Sequence, residues 1–355
     1  MAEIDTLFRY MRDQGCSDLH LSAGMEPRVR RKGSLVPVED WSVQSDEHVL
    51  NMLKEIANEA QWSEYVAGGD LDFAYGLPGV ARFRANYLRQ QRGAAAVFRI
   101  IPEEIIPIEK LNLPAAISEL VHLQQGLVLV TGPTGSGKST TLAAIIDAIN
   151  NQYSKHIVTI EDPVEFVHRD KSCAFSQREV GRDTDGFGGA LRAAIRQDAD
   201  VILVGEMRDL ETIGLAITAA EMGALVFGTL HTNNAAKTID RIIDAFPADQ
   251  QSQIRVSLSE SLAAVVSQLL LPTADGKGRC AVNEILLKTQ GLPNVIREGN
   301  TPMLHSIIQS GKSLGMQGMD DALLSALQAG RILPRDAYMK ASNKARFEPL
   351  LPPDS

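Results

Sequence analysis

Apolar residues at positions 4, 7, 8 and 11 recur at the three-and-four spacing of a helix with one buried face, and Gly15 follows as a stop. The pattern predicts a short amphipathic helix over 4–14. Alternating or apolar runs then come at 18–22, 28–31, 71–75, 81–88 and 94–100, with a helical period at 46–59 between them. The chain up to 100 therefore reads as a small mixed α/β unit. Over 101–114, Pro102, Pro107 and Pro114 break regular structure and stiffen the chain into an extended connector. That segment marks a domain boundary.

Beyond it the period changes. Short apolar strands are predicted at 127–130, 157–160, 201–204 and 225–229, separated by helical periods such as 138–150 and 211–221. Such alternation is the sequence form of a parallel sheet with crossover helices. Strands covered on both faces should be almost wholly apolar, and Leu127-Val-Leu-Val130 and Val201-Ile-Leu-Val204 are. After Leu287 the chain reads as mainly helical, punctuated by Gly291, Pro293, Gly299, Pro302, Gly311 and Gly315. There is no internal repeat or low-complexity tract.

A length of 355 residues suits two domains, and 44% apolar with 22% charged residues is a globular composition that excludes wholesale disorder. The net charge of −9 argues against a broad nucleic-acid footprint, which needs clustered Lys and Arg. Cys16, Cys173 and Cys280 stand far apart without a CxxC pair, giving neither a disulfide framework nor a zinc spacing; they read as reduced cytosolic thiols. The first ten residues mix acids and bases and lack a signal-peptide profile, so no export is expected. The longest apolar run, 262–271, is short and broken by Ser267 and Gln268, so no direct membrane span is expected.

The strongest chemical signal is Gly132-Pro-Thr-Gly-Ser-Gly-Lys-Ser139, a full phosphate-loop match placed directly after an apolar strand and directly before a helix. There, backbone N–H groups converge on phosphates and the helix N-terminus adds its positive end. Gly132, Pro133, Thr134, Gly135, Ser136, Gly137, Lys138, Ser139 and the following Thr140 are the candidate nucleotide-binding residues. Lys138 is expected to reach the β- and γ-phosphates of ATP, and Ser139 to ligate Mg2+.

Val201-Ile-Leu-Val-Gly-Glu206 is an apolar strand ending in an acid, the shape of a Walker B segment. Gly205 stands where an ordinary version has Asp, so Glu206 is expected to act on water, either the attacking molecule or one bound to the metal. Another strand ends in Glu161, Asp162 and Glu165, and strand carboxyl ends are where ligands sit in doubly wound sheets. His231 closes a fourth strand, where an imidazole can sense a γ-phosphate or a neighbouring acid. His20, His48, His122, His156, His168 and His305 show no metal-ligand spacing. Arg82, Arg84, Arg89, Arg92 and Arg99 crowd adjoining strands of the first unit and are candidates for the guanidinium that phosphoryl transfer uses, about a thousandfold or more in rate.

P-loop, acidic box, Gly-Glu Walker B and His box, in that order, resemble the ring ATPases of secretion and pilus machines. Ser17-Asp-Leu-His-Leu-Ser22, Gln177-Arg-Glu-Val-Gly-Arg-Asp-Thr184, Val204-Gly-Glu-Met-Arg-Asp209 and the stretch from His231 to Ile242 more closely resemble the type IV pilus retraction ATPases. The similarity runs from about Thr6 to Arg331. It implies an α/β fold: a small PAS-like N-terminal domain (1–100), a Pro-rich linker (101–114), a RecA-like P-loop NTPase core (115–290) and a helical C-terminal region (291–355). It also implies a homo-hexamer with nucleotide where subunits meet, catalytic duty on Glu206, Glu165 and His231, and Arg84 and Arg99 directed at the γ-phosphate. Expected partners are an inner-membrane pilus platform protein and the pilin machinery, with the chain cytoplasmic and peripheral at the inner membrane.

Two departures stand out. The family usually carries a second histidine seven residues before His231, where this chain has Ala224, and its C-terminal motif normally has Arg where this chain has Pro293. The second bears on coupling to retraction and leaves hydrolysis untouched. Extension motors carry an extra N-terminal domain and a tetracysteine site, and neither pattern occurs in this sequence. Retraction is therefore the expected function, with a pilus-assembly or type II secretion ATPase, or an accessory retraction ATPase, as the alternative. A nucleic-acid translocase fits the acidic balance poorly.

Overall fold

The computed structural model describes residues 2–31, 33–101 and 104–352. The chain divides into two compact units, one running to Glu104 and taking in Pro163–Val167, the other comprising Ile105–Asp162 and the chain from His168 onward. Pro102 and Glu103 of the proline-rich connector lie outside the described residues. The remainder of that connector is not wholly extended, because Ile108–Leu111 forms a 3₁₀ turn with Ile108 buried.

The first unit contains α1 (Asp5–Asp13), β1 (Asp18–Ser22), β2 (Arg28–Arg31), β3 (Ser34–Pro37), α2 (Asp46–Ile56), α3 (Glu59–Gly68), β4 (Leu71–Leu77), β5 (Ala81–Gln90) and β6 (Gly93–Ile101). The strands form one antiparallel sheet in the order β3-β2-β1-β6-β5-β4. Along β5, Ala81, Phe83, Ala85 and Tyr87 are buried while the residues between them face outward, as the two-residue period requires. Phe8 of α1 stacks on Phe83 at 4.2 Å between ring centroids and meets Phe98 edge-on at 5.0 Å. Such pairs add about 0.5–1.5 kcal/mol each beyond burial.

The helical period expected over 46–59 ends at Ile56, and a second helix, α3, starts at Glu59. Asn58 accepts a hydrogen bond from the Gln61 backbone N–H at 2.9 Å, and the Gln61 side chain accepts from the Asn58 N–H at 3.0 Å. This reciprocal box starts a new helix, worth about 1 kcal/mol, and it wins over continuation of the first because Ala57 has turned extended.

The second unit contains α4 (Ala115–Ser118), β7 (Gly126–Thr131), α5 (Lys138–Gln152), β8 (His156–Glu161), β9 (Ala174–Glu179), α6 (Phe187–Ala194), β10 (Val201–Val204), α7 (Leu210–Glu221), β11 (Leu225–Leu230), α8 (Ala235–Asp244), α9 (Ala248–Ser261), β12 (Leu262–Pro272), β13 (Arg279–Leu287), α10 (Leu292–Glu298), α11 (Leu304–Ser310), α12 (Met319–Gln328) and α13 (Pro334–Lys340). Its sheet runs β13-β12-β7-β11-β10-β8-β9, parallel except for the edge strand β13. β7, β10 and β11 are buried at every position, because helices cover both faces. One core cluster on the sheet includes Leu129, Ile160, Ile202 and Val226; another includes Val128, Val130, Leu203 and Phe227. The alternation of neighbouring residues between the two shows that the sheet is the middle layer.

Cys16, Cys173 and Cys280 are buried free thiols. Among the described residues no helix is long and apolar enough to cross a membrane. The run 262–271 belongs to strand β12.

Candidate functional site: a phosphate loop and the strand ends beside it

Parallel register brings the carboxyl ends of four strands to one edge of the sheet. Thr131 leads from β7 into the phosphate loop, Glu161 ends β8, Gly205 and Glu206 follow β10, and His231 follows β11.

Gly132 opens the loop at φ 146°, and a Cβ there would run into the carbonyl oxygen of Gln268 on the next strand, so only glycine fits. No side chain caps α5, whose N-cap is Gly137. By contrast, Asp209 caps α7 through the Thr212 N–H at 2.8 Å and Asn234 caps α8 through the Lys237 N–H at 2.8 Å. The first-turn N–H groups of α5 are thus presented for an anion. Lys138, buried in that turn, donates to the carbonyls of Gly132 at 2.8 Å and Pro133 at 3.1 Å. Ser136 Oγ is buried without a hydrogen-bond partner. Pro133, Thr134 and Gly135 are exposed, and Ser139 and Thr140 are half-buried.

Glu206 is held from two sides. Its Oε1 lies 3.1 Å from His231 Nε2, and its Oε2 forms an ion pair with Arg208 Nη2 at 2.6 Å. The Arg208 hydrogen bond, chiefly, with the charges of Arg208, His231 and Lys138 added, holds the Glu206 carboxyl below the usual carboxylate range despite partial burial. It is an ionised acceptor at neutral pH, and the charge of Lys138 is near enough to act on it. Arg208 is one residue that sequence reasoning missed. Its only local signal is its place two residues after Glu206 in a stretch without helix or strand.

Space for a side chain at position 205 is tight. Gly205 donates its N–H to the Ile160 carbonyl at 2.8 Å, and a Cβ there would lie 3.2 Å from both that carbonyl oxygen and Glu161 Cα. On the neighbouring strand Glu161 is buried and accepts from Thr159 Oγ1 at 2.8 Å. Asp162 is exposed just beyond it. Glu165 is exposed within Pro163–Val167, the segment that groups with the first unit.

Arg84 and Arg99, fifteen positions apart in sequence, are direct cross-strand partners of β5 and β6. Their side chains therefore share one face of the first unit's sheet, an arrangement unfavourable for two like charges unless acids offset it. Arg84 Nε lies 3.2 Å from each carboxylate oxygen of Asp72, and Arg99 Nε donates to Asp18 at 2.8 Å. Burial pushes the Asp18 carboxyl up, but hydrogen bonds from Ser17 and Arg99 outweigh it and leave it below its usual value.

Ala224 immediately precedes β11, and its carbonyl accepts from the Gly126 N–H at 3.0 Å. A histidine there would stand at the opposite end of the strand from His231. Pro293 occupies the first turn of α10, where the missing N–H costs nothing.

Among the described residues no group of three or more His, Cys, Asp and Glu is arranged to hold a metal. What the loop does offer is the Ser139 hydroxyl, a hard oxygen donor in the first turn of α5, with Lys138 adjoining it.

Comparison with known proteins gives a consistent result. The sequence profile described as "Type II/IV secretion system protein" matches residues 4–313. A relative named "Type IV pilus retractation ATPase PilT", from Pseudomonas aeruginosa, is 49% identical over 350 residues, covering 97% of this chain and all of its own length. A "Twitching motility protein" from Neisseria gonorrhoeae is 52% identical over 317 residues, 89% of this chain and 84% of that one. A solved structure, "Crystal Structure of the Pilus Retraction Motor PilT and Bound ADP", superposes with a TM-score of 0.91 at 42% identity, covering 98% of this chain and 99% of that one.

Proposed function

The chain belongs to the type II/IV secretion system protein family, and from that premise we propose that it is an ATPase motor subunit that powers retraction of type IV pili. The observation that carries the chemistry is the Glu206 carboxylate, kept ionised by Arg208 and aligned by His231 at the strand ends flanking an uncapped phosphate-loop helix. The direction of work is supported by the names of relatives that align over nearly the whole chain.

In this reading residues 132–140 hold the triphosphate, and Lys138 exchanges its two carbonyl partners for β- and γ-phosphate oxygens. Glu206 orients the attacking water and accepts its proton, while Glu165 adds a second carboxylate. Ser139 would hold Mg2+, with Glu206 acting through water, since this ion favours few protein oxygens alongside phosphate and water. Bound with the triphosphate, the ion would neutralise charge on the phosphate oxygens.

Arg84 and Arg99 serve the γ-phosphate of an adjoining subunit in a homo-hexamer. The first unit corresponds to a PAS-like domain (1–100) and the second to a RecA-like core (115–290), with the proline-bearing linker (101–114) between them and the helical region (291–355) completing the chain. The ring works in the cytoplasm at the inner membrane, against a pilus platform protein.

Two experiments test the reading. Purified protein should release phosphate from ATP, and Lys138→Ala should abolish that release. Imaging a deletion strain should show pili that no longer retract; loss of pili would identify an assembly motor instead.

A further inference from the structure

The two polar residues that interrupt the apolar strand β12 have specific long-range partners. Ser267 Oγ hydrogen-bonds Thr131 Oγ1 at 2.9 Å, tying β12 to the last residue of β7. Gln268 is 2% exposed, and its carboxamide makes three hydrogen bonds. Its Oε1 accepts from Thr141 Oγ1 at 2.9 Å and from Asn283 Nδ2 of β13 at 3.0 Å, and its Nε2 donates to the Ser136 carbonyl at 2.7 Å. Its own backbone carbonyl is the atom that crowds Gly132. One residue on a neighbouring strand thus touches the phosphate loop at its start, its middle and the helix turn that follows.

We propose that Gln268 is a positioning residue for the phosphate loop, acting through Ser136 and Thr141; this rests on reading the loop as the ATP site. The peptide between Ser136 and Gly137 is planar, and in the trans form its C=O and N–H point in opposite directions. Fixing the Ser136 carbonyl inward on Gln268 therefore aims the Gly137 N–H outward, where a phosphate oxygen is received. Only an amide serves. The position needs a donor toward Ser136 and an acceptor toward Thr141 and Asn283, and a carboxylate lacks the donor while a hydrophobe lacks both. Asn283 keeps the amide from turning over, because its own N–H group claims the oxygen.

The loop's N–H groups contact phosphate in the ground state and the transition state alike, so losing their alignment weakens binding more than turnover. Gln268→Leu should raise the dissociation constant for a fluorescent ADP analogue, and the KM for ATP, on the order of tenfold, with kcat within a few-fold of wild type. Thr141→Val should move both in the same direction by less. Gln268→Glu should bind worse at neutral pH, and its deficit relative to wild type should narrow as pH falls, because the protonated acid regains a donor.

Unchanged nucleotide affinity in Gln268→Leu, or a fall confined to kcat, overturns the proposal. If that variant does not fold, unchanged affinity in Thr141→Val overturns it equally. Lys138→Ala separates the two levels of the argument. Binding lost in Lys138→Ala but intact in Gln268→Leu rejects the positioning role alone, whereas binding retained in Lys138→Ala rejects the site itself.

Discussion

His231 Nε2 lies 3.1 Å from Glu206 Oε1, across the ends of two parallel strands, β10 and β11, that pair from Val201 with Leu225 to Val204 with Gly228. The sheet register fixes this distance, so the imidazole holds the carboxylate by its position on rigid backbone. Replacing Glu206 with Gln keeps the shape and removes the proposed base. Turnover should fall about a hundredfold or more, with nucleotide affinity retained. His231→Ala should cost less, since Arg208 still holds the other oxygen. Paired phosphate-release and nucleotide-binding assays check both.

Arg208 is the chief influence on the charge state of Glu206. Because its hydrogen bond is the main cause of the lowered Glu206 pKa, the carboxylate stays ionised further into the acid range than an ordinary one. Removing the guanidinium raises the pKa back toward the usual value. The acid limb of the pH–rate profile of Arg208→Ala should therefore lie at higher pH than that of wild type, and Arg208→Lys should sit between them. A limb that does not move would show that Glu206 does not titrate in the rate.

Asp321 in α12 receives Lys312 at 2.8 Å, Arg346 at 2.6 Å and Gln309 at 3.3 Å, which drives its carboxyl down to about 2. A depressed folded-state pKa stabilises above the unfolded value, near 4, and that contribution is lost as pH falls through about 2. Lys312 and Arg346 are partly exposed, so solvent screening leaves about 1 kcal/mol of it. Thermal melts between about pH 6 and 2 should show this loss in wild type and a shallower decline in Asp321→Asn.

Much of the site was legible because its signals are local. The phosphate loop, the apolar strands before Glu206 and His231, and the helix after Lys138 all declare themselves within a few residues. What escaped was made by distance or by exposure. Ser267 and Gln268 read as interruptions of an apolar run, because their partners Thr131 and Ser136 are 136 and 132 residues away. Strand β9 escaped because, outside buried Glu179, its residues are half-buried or exposed, and after Ala174 and Phe175 they are all polar, without alternation. The break at Asn58 was a local signal that the longer helical period around it masked. The fifteen-residue spacing of Arg84 and Arg99 was visible, but that it makes them cross-strand partners depends on the β5–β6 turn.

In the proposed motor, guanidinium groups from one subunit complete the phosphate loop of another. Co-expressing Lys138→Ala subunits with Arg84→Ala/Arg99→Ala subunits tests it most directly. Each variant alone should be nearly inactive, with about a thousandfold lost when the arginines go. In mixed assemblies an intact loop from one variant meets intact arginines from the other, so phosphate release should reappear. Mixed assemblies that stay as inactive as either variant alone would contradict the account.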